Sequence, residues 1–129
     1  MLAVSRYAPE YVERCRNTFH ATIAACGKGL SSTKGEPLVT CQLIVALEGW
    51  FAQRTRGMEG KDGNPMNEVR LLASSITHHG GVLTIEKGLR LSADSSVLGL
   101  APGDVIAPSL HDLAHLVDAF LDAIERTYV

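Results

Sequence analysis

The stretch RGMEGKDGNPMNEVR, residues 56–70, decides how this chain is divided. Gly57, Gly60 and Gly63 free the backbone for tight or left-handed turns, and Asn64-Pro65 supplies an N-cap followed by a residue suited to the first helical position. One helix is therefore expected to end at Arg56 and another to begin at Pro65. Upstream, Pro37 to Arg56 carries Leu43, Ile44, Val45, Ala46, Leu47, Trp50 and Phe51, an apolar surface too wide for a single stripe. Such a helix is central in a bundle or shared with a second subunit, which predicts a homodimer. Gly49 within it costs about 1 kcal/mol relative to alanine, acceptable where another backbone comes close. Downstream, Met66, Val69, Leu72, Ala73 and Ile76 form the inward face of a helix that stops at His79-Gly80-Gly81.

Farther out, Val12, Cys15, Phe19, Ile23 and Cys26 recur at helical steps between Pro9 and Gly27, giving an amphipathic first helix. Ser109 and Asp112 make a capping-box-like start for a last helix, in which Leu113, Val117, Phe120, Leu121, Ile124 and Tyr128 share one face. Between helices three and four, GVLTIEKGLRL reads as two short strands around a Glu86-Lys87-Gly88 turn, and SVLGLAPGDVI as extended chain with a Pro-Gly turn. The expected fold is mainly α, or α+β if the hairpin is counted. It is one four-helix domain over residues 1–129, with a small β-hairpin inserted at about 82–108.

Composition narrows the function classes. With 46% hydrophobic and 20% charged residues, the chain is an ordinary globular one. A net charge of −2 argues against nucleic acid as a partner, because phosphate binding needs clustered Lys and Arg. No signal-peptide pattern or spanning apolar run is present, so the expected setting is cytoplasmic, without a membrane partner. Cys15, Cys26 and Cys41 lack CxxC spacing and read as core thiols.

The 56–70 stretch is also the first candidate for chemistry. It leads into the positive end of helix three with Lys61 nearby, an arrangement suited to an anion. Its Glu59, Asp62, Asn64, Asn67 and Glu68 offer oxygens to a hard divalent cation. Neither the Walker-type nor the EF-hand pattern is matched, and the plainer alternative is capping by Asp62 and Asn64 around a glycine-shaped turn. On a helical projection Arg54 falls among Leu47, Trp50 and Phe51, so its guanidinium needs a partner, with Asp62, Glu59 and Glu68 as the expected ones. The candidate ligand-binding set is Arg54, Lys61, Asp62, Asn64, Asn67, Glu68 and Arg70. Helix four carries His111, His115, Asp118 and Asp122 on one stripe, where the two histidines and Asp118 could hold a divalent metal. That stripe turns away from the apolar face, so a solvated surface is the plainer reading, and no cofactor is predicted.

GKDGNPMNEVRLL, GGVLTIEK and SVLGLAPGDVI together resemble a family of small uncharacterised bacterial proteins with a similar central loop and β segment. The resemblance runs from about Tyr11 to Ile124 and implies one compact domain, with no activity, cofactor or catalytic residue attached. Met66 stands where these relatives have leucine. The expected function is that of a non-enzymatic ligand-binding or protein-interaction domain using the 57–70 loop. The alternative is a divalent-metal-assisted enzyme of hydrolase type, using loop carboxylates or the His111/His115 stripe. A winged-helix-like DNA-binding regulator is the third reading; helix two is too long for that module, and beyond Arg70 its reading helix offers little positive charge.

Overall fold

The computed structural model describes residues 3–29, 35–86 and 88–129. Helix α1 spans Pro9–Gly29, α2 Glu36–Trp50, α3 Pro65–His78 and α4 Leu110–Tyr128, with a short 3-10 turn at Arg56–Glu59. Helix α4 packs against all three others, and α2 also lies on α3. Its Leu113, Leu116, Val117, Phe120, Leu121, Ile124 and Tyr128 recur at three- and four-residue steps and are all buried. Facing them are Val12, Cys15 and Phe19 from α1, Ile44 and Leu47 from α2, and Val69 and Leu72 from α3. Each fully buried Leu, Ile or Phe contributes about 1.5–3 kcal/mol relative to exposure, so this shared face holds the helices together. Burial pushes the Cys15 thiol up to about 12, in keeping with a packing role. Both N-caps read from the sequence are formed: the Asn64 side chain accepts from Asn67 N–H, and Ser109 from Asp112 N–H.

Helix α2 ends earlier than Arg56. Phe51 N–H turns back to the Glu48 carbonyl and Arg54 N–H to the Phe51 carbonyl, each at 3.1 Å, and from Thr55 the pairing passes to a different segment. Val4 forms a parallel bridge with Arg54, donating to Gln53 O and accepting from Thr55 N–H, both at 2.7 Å. A segment distant in sequence thus supplies the hydrogen bonds that a longer helix would have supplied itself. Among the described residues no other segment makes that close approach to Gly49, where an added Cβ would meet nothing within 4 Å outside its own helix. The outer face of α2 is open there, and Leu38 on it is 74% exposed.

The expected β-hairpin is not formed, and no strand occurs among the described residues. The turn itself is present, with Leu89 N–H donating to Glu86 O at 3.1 Å, although Lys87 lies outside the described residues. Its two arms, however, pair elsewhere. Val82 makes an isolated antiparallel bridge to Val105, supported by Leu83 N–H to Asp104 O at 2.9 Å and Ile106 N–H to Gly81 O at 2.8 Å. On the other arm Arg90 N–H donates to Lys61 O at 2.8 Å. The alternation of Leu83 and Ile85, and of Leu89 and Leu91, reports side chains sent into the core from each arm. It does not report pairing between the arms. Among the described residues no helix is long and apolar enough to cross a membrane.

Candidate functional site

Helix α2 carries one charge between Pro37 and Gln53, Glu48, and the structure places it at the edge of a buried ionic cluster. The Arg54 side chain is 0% exposed. Its Nη1 donates to Glu48 Oε1 at 2.9 Å, its Nε to Glu59 Oε2, and its Nη2 to the Met66 carbonyl at 3.2 Å. The guanidinium also lies over the Phe120 ring, 5.5 Å from its centroid. Burial works against the Arg54 charge, but Glu48 and Glu59 more than offset it and raise its pKa. Glu59, also 0% exposed, is turned inward by the 3-10 turn, and the Tyr128 hydroxyl sits 2.6 Å from its Oε2 and 2.8 Å from Thr55 O. Burial and then Glu59 hold the Tyr128 phenol well above its ordinary range.

Two further arginines border this cluster. Arg56 Nη2 lies 3.4 Å from Glu48 Oε2 and is largely solvated. Arg70, on α3, donates through Nη2 to Asn67 Oδ1 and stands 3.6 Å from Glu59 Oε1. That distance is an ion pair without a hydrogen bond. Accordingly Glu59 Oε1 and Arg70 Nε are both buried without a hydrogen-bond partner. Arg54, Arg56 and Arg70 thus share two carboxylates, Glu48 and Glu59, leaving one positive charge in excess. Burial lowers the pKa of Arg70, Glu59 acts against that, and the neighbouring Arg56 and Arg54 add to it. Burial likewise raises the Glu48 carboxyl, with Arg54 and Arg56 acting against it.

Arg56 and Arg70 open onto a cleft of about 310 Å³ between α2 and α3. Val45, Glu48 and Gly49 line one side, and Ala73, Ser74, Thr77 and His78 of α3 the other. Glu86 closes it from the segment after α3. The α3 residues share one face because they follow Arg70 at three, four, seven and eight positions.

Of the residues singled out from the sequence, Arg54 and Arg70 reach this region. Asn64 is spent inside the loop, capping α3 and donating to Glu59 O at 2.9 Å, while Asn67 ties the loop to Arg70, its Nδ2 donating to Asp62 O at 2.7 Å and its Oδ1 accepting from Arg70. Glu68 is fully buried and accepts from Ser96 Oγ at 2.7 Å, Val97 N–H at 2.7 Å and Leu98 N–H at 3.1 Å, fastening the 96–98 segment to α3. Asp62 pairs with Arg90 at 2.8 Å in solvent, and Lys61 lies beside Gly88. Sequence reasoning missed Glu48, Arg56, His78 and Glu86 as cleft residues; the isolation of Glu48 in an apolar helix was a usable signal for the first.

On α4, the His111 and His115 rings meet edge to face, 4.7 Å apart. Asp118 is committed to Arg16 Nη1 and His20 Nε2, each at 2.8 Å. Among the described residues no three His, Cys, Asp or Glu side chains converge as a metal-holding group. No protein-family model, curated protein or solved structure matches the chain, leaving the chemistry of the α2–α3 cleft as the ground for a functional reading.

Proposed function

We propose that the chain is a non-enzymatic binding domain for a small carboxylate ligand, held in the α2–α3 cleft by Arg70 of the 57–70 loop together with Arg56, which directly precedes it. The observation that carries this reading is the charge imbalance: three guanidinium groups share two carboxylates, and the least compensated of them, Arg70, is 12% exposed. An incompletely paired, mostly buried cation is costly, and an anion brought to it relieves that cost. The planar fork of a guanidinium matches a carboxylate best, through paired hydrogen bonds. Gly49 keeps the α2 wall of the cleft low, since a side chain there would project into open space.

Titration with propionate, followed by calorimetry at low ionic strength, tests the proposal. Binding is expected in the wild type and lost in Arg70→Met. Gly49→Leu provides a second variant that leaves every charge in place and fills the cleft; it too is expected to lose binding. Propionate binding that survives both substitutions would remove the cleft from consideration, as would no binding to the wild type.

A further inference from the structure

We infer that the cleft takes a small zwitterion, its carboxylate on Arg70 and Arg56 and its ammonium group on Glu86, an inference that rests on the carboxylate-binding reading above. After the turn at His79 to Gly81 the chain reverses and runs back beside α3, with Thr84 N–H donating to Ser75 Oγ at 3.0 Å. Glu86, two residues farther along this return path, is thereby carried back toward the Arg70 end and into the cleft wall. Of the two carboxylates in that wall, Glu48 is committed to Arg54 at 2.9 Å and Arg56 at 3.4 Å. Glu86 is exposed and forms no ion pair with a described residue.

An undercompensated guanidinium and an uncommitted carboxylate therefore line one space, with the hydroxyls of Ser74 and Thr77 and the apolar Val45 and Ala73 sharing its walls. A simple anion satisfies Arg70 and leaves Glu86 repelling it, and a simple cation faces Arg56 and Arg70. A molecule bearing both groups is attracted at both ends. The volume of about 310 Å³ is near the bottom of the range for small-molecule sites, about 300–1,000 Å³, which points to something the size of an amino acid.

Calorimetry comparing L-alanine with propionate, and 4-aminobutyrate with butyrate, tests the inference. At least one zwitterion is expected to bind about ten-fold tighter than its ammonium-free counterpart, the difference one good charged contact supplies. Glu86→Gln is expected to erase that difference. Equal binding of zwitterions and carboxylates, lost together in Arg70→Met, would overturn the zwitterion and leave the carboxylate reading standing. A preference that persists in Glu86→Gln would also overturn it, by placing the ammonium group elsewhere. Failure of all four probes to bind would end both readings.

Discussion

At the scale of single residues, the Arg54–Glu59 pair is the fully buried part of a larger ionic cluster, and the core tolerates it only while it stays whole. Removing one member of a buried pair typically costs about 3–5 kcal/mol, because it strands the other charge, whereas replacing both with apolar groups of similar volume is often neutral. Glu59→Ala, which leaves Arg54 with Glu48 alone and takes from Arg70 its ion pair, is accordingly expected to lower stability by about that much. The double variant Arg54→Met/Glu59→Leu should recover part of the loss, because Glu48 keeps Arg56 while Arg70 stays without Glu59. Urea midpoints for the two variants check this, and a double variant no more stable than the single would mean that the pair is not the source of the effect. The need for a partner at Arg54 was legible in the sequence, but the choice among Asp62, Glu59 and Glu68 was not. That choice depends on the path of the loop: the 3-10 turn at Arg56–Glu59 sends Glu59 inward, Glu68 is taken by the amides of Val97 and Leu98, and Asp62 stays in solvent with Arg90.

At the scale of elements, α1 and α4 are joined by buried apolar faces and, along their boundary, by Arg16 reaching Asp118, Asp122 and Glu125 at 2.8–3.1 Å. His20 adds its own contact to Asp118. Burial by itself would raise the Asp118 carboxyl, but the hydrogen bond and charge of His20, then those of Arg16, outweigh it and hold the group below its ordinary 3.8. A carboxyl depressed in the folded chain binds protons later than its unfolded counterpart as pH falls. Its contribution is therefore complete above the ordinary value and is lost as pH drops through the depressed one. Asp118→Asn should flatten the acid limb of the stability profile below about pH 5 and leave its neutral limb shallowly affected, since Asp118 is 47% exposed and surface pairs are screened. Thermal melts across that range at low salt would show it, and parallel acid limbs for the two proteins would count against the assignment. The helices were readable from periodicity and caps because both signals are local. The failure of the hairpin was not, because Leu83 and Leu89 look the same in sequence whether their arms pair with each other or with Asp104 and Lys61.

At the scale of the whole molecule, segments far apart in sequence converge on the turn after α2. Val4 bridges Arg54, Tyr7 N–H donates to Tyr128 O at 2.8 Å, and the Tyr128 hydroxyl reaches Thr55 O and Glu59. The Tyr7 ring meets the edges of Phe51 and Tyr128 at 4.9 and 5.8 Å, which ties the same region into the core. No sequence pattern exposes this convergence, because the apolar face of α4 accounts for Tyr128 without its hydroxyl. The ring and the hydroxyl are nevertheless separable by experiment. Tyr128→Phe keeps the packing and removes the hydroxyl from Glu59 and Thr55, an expected loss of about 1–3 kcal/mol. Tyr128→Ala also leaves a cavity, at about 3–5 kcal/mol, a large part of the 5–15 kcal/mol that holds a typical domain folded. If the convergence couples α4 to the turn after α2, hydrogen exchange in Tyr128→Phe should accelerate at the amides of Val4, Arg54 and Thr55 while the centre of α1 stays protected. A uniform acceleration across all helices would instead make Tyr128 an ordinary core residue whose loss weakens the molecule everywhere alike.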